Sequence, residues 1–236
     1  MSDLAVVSIA TTLVAQSAAA TRRIVGSARR LHPSARIVVL AADHGTLRAD
    51  IGTDVVLVPG DLGLDDDVLA RRLGRTSPTH AAAALLPALG RVLLEEYPHT
   101  VLVDPAIELL GSLDELVPTG HEHLRLVPRA LTPPPPDGRH PDAVDLAEEG
   151  VYLPTLLGVR RGAADVLDWW SDACARRPAE RGRLLTVDAS WNPHTVCEAP
   201  GHGVGPDRVD RTTRFGSTAD GLTIDDTPVA TLDTSG

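Results

Sequence analysis

Lysine is absent from this 236-residue chain, so all 22 of its basic residues are arginine. The chain therefore supplies no P-loop lysine, no Schiff-base lysine and no anchor for pyridoxal phosphate. Its 32 acidic residues outnumber the basic ones and give a formal net charge of −10. Because nucleic-acid-binding surfaces carry positive charge, this balance argues against nucleic acid as a partner.

Cysteines and long apolar runs are also scarce. The two cysteines, Cys174 and Cys197, have neither metal-binding nor redox spacing. No apolar run reaches the roughly 18 residues of a membrane span, so no span is expected. The start of the chain has Asp3 where a signal peptide would be basic, which favours a core strand there. We therefore expect a cytoplasmic location and reduced thiols.

The first half of the chain alternates between two hydrophobic patterns. Short β-branched runs predict strands at residues 4–9, 36–41, 54–58 and 101–104. Longer segments of helical composition predict helices at residues 14–31, 65–73 and 79–96. This alternation predicts a largely parallel sheet with right-handed crossovers. Abundant alanine, glycine, proline and arginine are typical of a GC-rich bacterial genome and imply no function.

The second half is less regular. It predicts a short strand at 124–127, a helix at 141–149, a strand pair or bent strand at 150–161, and a helix at 163–176. From about residue 178 glycine, proline and polar residues dominate, and little regular structure is expected at 201–226. With no linker or repeat, the chain is expected to form one α/β domain over residues 1–236.

Residues 100–116, TVLVDPAIELLGSLDEL, carry the clearest functional signal. A buried apolar strand ends at Asp104, and Pro105 then interrupts the ladder of hydrogen bonds. The carboxylate is thereby expected at the carboxyl edge of the sheet. Ligands of open α/β sheets bind at this edge.

The same segment resembles the Asp-x-Asp strand end of nucleotide-sugar glycosyltransferases of the GT-A fold, above all bacterial, family 8-like relatives that read LDPD and then LDEL. Five further stretches resemble that family in the expected order, namely residues 34–40, 82–94, 150–170, 185–191 and 221–236. The resemblance implies a single GT-A-like domain with a Rossmann-like sheet. Residues 1–104 would be its nucleotide-binding half and residues 105–236 its acceptor-side half.

The resemblance also implies roles for particular residues. Thr11 and Thr12 follow the first strand, where the family binds the nucleotide base. Asp104 would bind the metal and the diphosphate, and Asp188 would orient an acceptor hydroxyl or act as a base. For Asp188, capping of a following helix is an equally good reading.

Two arginines complete the candidate nucleotide-binding set. Arg160 and Arg161 end a predicted strand and could hold phosphate in place of the family's lysine, although a solvated turn is the commoner role. The GT-A family uses that lysine, two aspartates and a late histidine at the diphosphate.

This chain departs from the family at each of those positions. Ala106 replaces the second aspartate and Leu86 replaces the lysine. The asparagine that relatives carry after the Gly-Val-Tyr stretch is Leu153, and the glycine two positions later is Thr155. The late histidine is Leu232 or Asp233. Alanine ligates no metal, so bound Mn²⁺ or Mg²⁺ is expected to be weak or absent.

Three other groups of residues carry side chains that could serve a binding site. Glu108 would serve as a second carboxylate if the motif were displaced, but four strand residues put it about 13 Å from Asp104. Trp169 and Trp170 could stack on a sugar, although core packing is the commoner role. The pair His121 and His123 resembles a metal ligand pair but sits in a turn of solvated composition.

Two function hypotheses follow from the resemblance. The first is an active glycosyltransferase that uses a nucleotide sugar and an unidentified acceptor, with arginine partly replacing the metal. The second is a catalytically degenerate relative that acts as a binding or assembly module with a protein partner. Fold analogy favours the first hypothesis, and the substitutions at Ala106 and Leu86 favour the second.

Overall fold

A central β-sheet organises the computed structural model, which describes residues 7–13, 17–42, 52–64, 77–134, 142–205, 214–218 and 221–233. The strands of the described residues are β1 Val7–Leu13, β2 Arg36–Ala41, β3 Val55–Leu57, β4 His99–Val103, β5 Ile107–Leu109, β6 Leu124–Pro128, β7 Tyr152–Arg160, β8 His194–Val196, β9 Phe215–Thr218, β10 Gly221–Ile224, β11 Thr227–Pro228 and β12 Thr231–Asp233. The helices are α1 Ala18–Leu31, α2 Pro78–Ala83, α3 Leu86–Glu96, α4 Ala143–Glu149, α5 Ala164–Arg176 and α6 Arg181–Ala189.

The main sheet has seven strands in the order β3-β2-β1-β4-β7-β6-β8. Strands β3, β2, β1 and β4 run parallel, β7 is antiparallel to both of its neighbours, and β8 is parallel to β6. Strands β9 to β11 form a second sheet, and β12 pairs with β5. The predicted α/β architecture with a mostly parallel sheet is confirmed.

Both faces of the main sheet are covered, which is why the central strands β2 and β4 are buried along almost their whole length. In β2, Val38 and Leu40 pack on the face covered by α3, α5 and α6. Ile37 and Val39 pack on the opposite face, against α1 and residues 107–117. Helix α1 ends as expected, with Arg29 and Arg30 in its last turn.

Several sequence predictions need correction. The single helix predicted at 79–96 is two helices, α2 and α3, because Pro87 in the first turn of α3 has no N–H to continue a preceding helix. The bent strand expected at 150–161 is the one strand β7. The chain beyond residue 178, expected to be irregular, forms α6 and strands β8 to β12. The helix predicted at 65–73 lies outside the described residues.

No helix of the described residues combines the length and apolar composition that crossing a membrane requires.

The short 3₁₀ turn Asp114–Leu116 crosses directly over the middle of β7. It does so at Gly158, where a Cβ atom would lie 1.6 Å from the carbonyl oxygen of Leu116. Only a residue without a side chain allows this approach. Gly158 thus sets the position of the turn over the sheet.

We predict that Gly158→Ala lowers the free energy of unfolding by about 1–3 kcal/mol or more, because overpacking here must displace backbone. Gly26→Ala is the matched control, since Gly26 lies in α1 with no atom within 4 Å of the added Cβ. That change should raise stability by roughly 0.5–1 kcal/mol through helix propensity. Urea unfolding of both variants measures the difference, and equal midpoints would contradict the close approach.

Candidate functional site

Asp104 is fixed at the carboxyl edge of the main sheet, directly after β4. It is buried, with 4% of its surface exposed. Its Oδ1 accepts a hydrogen bond from the Ala106 N–H at 3.0 Å, and its Oδ2 accepts one from Arg181 Nη1 at 3.2 Å. Its own N–H donates to the Thr155 carbonyl at 2.8 Å. Both carboxylate oxygens therefore already have a partner within the protein.

Arg181 is the first residue of α6, and the packing of that helix brings it to Asp104. Gly182 lies against the backbone of α4, where a Cβ would sit 2.4 Å from the Glu149 carbonyl oxygen. Trp170 Nε1 donates to the Arg181 carbonyl at 3.2 Å. The helix start is thus held close to the sheet edge, and the Arg181 side chain is only 13% exposed.

The Asp104–Arg181 contact is a buried ion pair. Taking both charges out of water costs several kcal/mol, and their mutual attraction repays this only in good geometry. Loss of one partner from such a pair costs about 3–5 kcal/mol because the other charge stays buried. Each residue therefore requires the other. Nothing in the local sequence around Arg181 indicates this role.

Asp233 is a second carboxylate connected to the site. It ends β12 and pairs with Ile107 of β5, three residues after Asp104. The Thr155 hydroxyl donates to Asp233 Oδ2 at 3.2 Å, while the Thr155 carbonyl accepts from the Asp104 N–H. Thr155 therefore joins the two aspartates. The side chain of Asp233 therefore faces Thr155.

Thr11 and Thr12 do not follow the first strand, as expected, but lie within β1, just before its last residue Leu13. They are therefore at the same edge of the sheet as Asp104, which follows the neighbouring strand β4. Both are fully buried, and their hydroxyls have no hydrogen-bond partner among the residues described. Consecutive strand residues point to opposite faces, so one ligand group cannot contact both side chains. The Thr12 carbonyl is already used, since it accepts from the Thr21 hydroxyl at 3.2 Å.

Asp188 lies two turns beyond Arg181 on α6. At seven residues apart the two share one helix face, about 10.5 Å apart along the axis. Asn192 Nδ2 donates to Asp188 Oδ1 at 3.1 Å, while Oδ2 has no partner within the described residues. Burial raises the pKa of Asp188 to about 7. Asp188 is the penultimate residue of α6, so it is not an N-cap.

The structure does not bring Arg160 and Arg161 to Asp104. Because β7 runs antiparallel to β4, Arg160 pairs with His99 at the start of β4. That position is roughly 16 Å from Asp104 along the strand. Arg161 donates to the carbonyls of Leu94 and Glu95 at the end of α3, at 3.2 and 3.5 Å. There its charge complements the helix dipole.

The remaining candidates have other surroundings. Glu108 lines a small cavity against α1. Trp170 is buried in the core, whereas Trp169 packs edge-on against Trp191 with ring centroids 6.5 Å apart. Trp191 is 73% exposed and therefore offers an aromatic face to solvent three residues from Asp188.

The two turn histidines, His121 and His123, belong to no group of three ligand residues in the described part of the chain. Glu122, between them, accepts from the Thr119 N–H at 3.1 Å and so closes the turn. Burial alone would raise the pKa of Glu122, but hydrogen bonds from the turn backbone outweigh burial and lower the pKa below its ordinary value. The turn thus has a structural explanation.

The residues around Asp104 do not fit a divalent cation. Mg²⁺ and Mn²⁺ require several oxygen ligands, whereas Ala106 offers no side-chain oxygen. Both oxygens of Asp104 are occupied, one of them by a guanidinium that would repel a cation. The positive charge beside the strand end comes from Arg181 instead.

Comparison with known proteins shows the fold of the chain. No protein-family model matches it, and no curated protein matches it. Among solved structures it is similar to the galactosyltransferase LgtC in complex with donor and acceptor sugar analogues, with a TM-score of 0.56 and 14% identity over 97% of this chain and 87% of that one. An active-site mutant of LgtC gives a TM-score of 0.58 and 12% identity over the same shares.

A third similar structure is a glycosyltransferase involved in the glycosylation of the major capsid of PBCV-1, with a TM-score of 0.50 and 10% identity over 84% of each chain. At sequence identities this low, the similarity shows a shared architecture but does not show a shared activity. The chain therefore has the GT-A glycosyltransferase fold, as its sequence motifs predict.

We predict that Asp188 makes stability depend on pH. Its pKa of about 7 in the folded chain exceeds the ordinary 3.8, so the folded state binds the proton more tightly. The free energy of unfolding should therefore fall as pH rises from about 4 to about 7, by about 4 kcal/mol at 1.36 kcal/mol per pKa unit. Asp188→Asn should remove this dependence.

The measurement is urea unfolding of the wild type and of Asp188→Asn from pH 4 to pH 8. The stability difference between them should grow in favour of the variant across that range. Asp172→Asn on the exposed side of α5 controls for loss of a surface carboxylate. A constant difference between wild type and Asp188→Asn would show that Asp188 is not buried as described.

Proposed function

We propose that the chain binds a nucleotide sugar at the carboxyl edge of its sheet and transfers the sugar to an acceptor. The observation that carries this proposal is the buried Asp104–Arg181 ion pair at the end of β4. In an open α/β sheet this edge is the ligand-binding edge. The choice of a nucleotide sugar as the ligand rests on analogy with other proteins of the GT-A fold.

Arg181 is the residue that would bind the donor diphosphate. Its guanidinium carries five N–H donors in a planar fork, and Asp104 accepts from Nη1. Arginine matches phosphate geometry through paired hydrogen bonds. Arg181 also opens α6, and backbone N–H groups at a helix start favour an anion. A diphosphate at this point would meet both sources of positive potential.

The leaving diphosphate gains negative charge as the bond to the sugar breaks. In this chain Arg181, held in place by Asp104, would stabilise that charge without a metal ion. The ion pair keeps the guanidinium oriented, so little reorganisation accompanies the reaction. The sequence suggested that an arginine partly replaces the metal. In this proposal that arginine is Arg181, not Arg160 or Arg161.

Asp188 would act on the acceptor side. A pKa of about 7 leaves a carboxyl group near half-ionised at neutral pH, which suits a group that accepts a proton from an acceptor hydroxyl. Its place on the Arg181 face of α6 separates it from the diphosphate by about 10.5 Å along the axis, room for a sugar ring between them. The exposed Trp191 ring lies nearby and could stack on an acceptor sugar.

A degenerate module without transfer activity is the second candidate. The contacts of Asp104 with Ala106 and Arg181 favour it, because neither oxygen of Asp104 is left for an ion. The two candidates differ in one respect that can be measured. A transferase must bind a nucleoside diphosphate, whereas an assembly module has no need of an anion site.

We predict that one of UDP, GDP, dTDP and CDP raises the melting temperature in a thermal-shift assay. A ligand at 100 times its Kd stabilises by about 2.7 kcal/mol, a shift of roughly 2–4 °C for a chain of this size. Arg181→Met/Asp104→Asn should abolish the shift while leaving no unpaired buried charge. Arg183→Met, an exposed arginine on the same helix, should retain it. No shift with any nucleotide would support the degenerate module.

We also predict that Mn²⁺ does not strengthen nucleotide binding to the wild type. Exchanging the positive charge for a carboxylate in Ala106→Asp/Arg181→Gln should make binding dependent on Mn²⁺, because two aspartates can then share the ion. Ala106→Asn/Arg181→Gln is the matched control without the added charge. Isothermal titration with and without Mn²⁺ measures the change. A wild-type affinity that rises tenfold with Mn²⁺ would contradict the role of Arg181.

A further inference from the structure

We infer that Glu115, Cys197 and His202 form a binding site for a divalent cation of the Zn²⁺ type. Their ligand atoms all lie within 4.8 Å of one another. His202 Nε2 and Glu115 Oε2 are 3.3 Å apart. This group of three is the only one of its kind in the described part of the chain. The inference does not depend on the proposed glycosyl transfer.

The spacing suits a tetrahedral ion. Zinc bonds to imidazole nitrogen and carboxylate oxygen at about 2.0–2.2 Å, so two such ligands in tetrahedral geometry lie about 3.3 Å apart. The His202–Glu115 distance already has this value. The thiolate of Cys197 forms a longer bond of about 2.3 Å and needs only a small approach to join them.

The ligand chemistry also selects this class of ion. Thiolate, imidazole and carboxylate together are a zinc set, whereas Mg²⁺, Ca²⁺ and Mn²⁺ prefer oxygen ligands alone. A thiolate and a carboxylate would balance the two positive charges of the ion, so the loaded site would be neutral. Neutrality matters because Cys197 and His202 are 1% and 2% exposed. An unbalanced charge at that depth would be costly.

The backbone places each ligand before any ion binds. The Cys197 N–H donates to the Leu126 carbonyl at 2.7 Å and extends the pairing of β8 with β6. The Glu115 carbonyl accepts from Arg125 Nε at 3.0 Å, which holds the turn that crosses Gly158. The His202 N–H donates to the Ala199 carbonyl at 3.4 Å. Two segments distant in sequence, the turn at Glu115 and residues 197–202, thus meet at one point.

The site has an entry path. The Glu115 side chain is 61% exposed, so an ion can reach the buried thiol and imidazole from the Glu115 side. The three residues leave one tetrahedral position for water. Three protein ligands and a water are an arrangement that zinc adopts in proteins.

This position is separate from Asp104. Cys197 follows β8, which lies three strands from β4 in the sheet order. At about 4.8 Å per strand, the separation is about 14 Å. The turn that carries His202 continues alongside β12, where Val204 pairs with Leu232. A bound ion would therefore hold residues 201–205 against the strand that ends at Asp233.

The test is a titration of the full reduced chain with Co²⁺, a spectroscopic substitute for Zn²⁺. We expect one equivalent to bind and to produce a thiolate-to-metal charge-transfer band, which Zn²⁺ then bleaches. Cys197→Ala should lose the band. Cys174→Ala, which removes the other buried cysteine, should keep it. Arg181→Met/Asp104→Asn, which leaves no unpaired buried charge, should also keep the band, which separates this site from the nucleotide site.

Glu115→Gln tests cation binding without disturbing the fold, because the Glu115 side chain is mostly exposed. It should weaken Co²⁺ binding at least tenfold, since even indirect partners of a metal ligand contribute 10–100-fold. Glu148→Gln on exposed α4 is the matched control. Absence of a charge-transfer band in the wild type, or a band that survives Cys197→Ala, would overturn the inference and leave a Glu115–His202 ion pair beside a buried thiol.

Discussion

The buried ion pair of Asp104 and Arg181 is the interaction on which the candidate site depends. It joins the end of β4 to the start of α6, two elements far apart in sequence. A buried charge without its partner destabilises the folded chain by about 3–5 kcal/mol. Any movement of α6 away from the sheet would therefore be opposed, and close packing at Gly182 makes the contact geometrically possible. The positions of Asp188 and Trp191 follow from the same helix.

Ala106 and Arg181 are chemically matched at the end of β4. Ala106 offers no side-chain oxygen to a cation, and Asp104 without a positive partner would be an uncompensated buried charge. The Arg181 guanidinium neutralises Asp104 and carries further N–H donors. The positive charge beside Asp104 is therefore that of a side chain.

Local sequence patterns predicted the fold and the position of Asp104 at the sheet edge. They could not predict contacts between residues far apart in sequence. An apolar run followed by aspartate and proline specifies a strand end by itself, and the alternation of strands and helices predicted a largely parallel sheet but not its strand order. Arg181 lies 77 residues from its partner, and nothing in its neighbourhood marks it as buried. Arg160 and Arg161 were candidates because they end a strand, yet β7 runs against β4 and carries them to the other edge. The sequence pattern did not show that β7 runs antiparallel to β4.

Helix α6 fixes the distance between Arg181 and Asp188. The two residues project from one face of a single rigid helix, so their separation of about 10.5 Å is set by helix geometry and not by loop conformation. Their chemistry differs because their surroundings differ: Arg181 has a carboxylate partner, whereas Asp188 is buried beside an amide and has its pKa raised to about 7. Under the proposed function, a nucleotide sugar at Arg181 would present its sugar toward a carboxyl group able to exchange a proton at neutral pH. One helix would then hold the phosphate-binding group and the proton-accepting group at a constant separation.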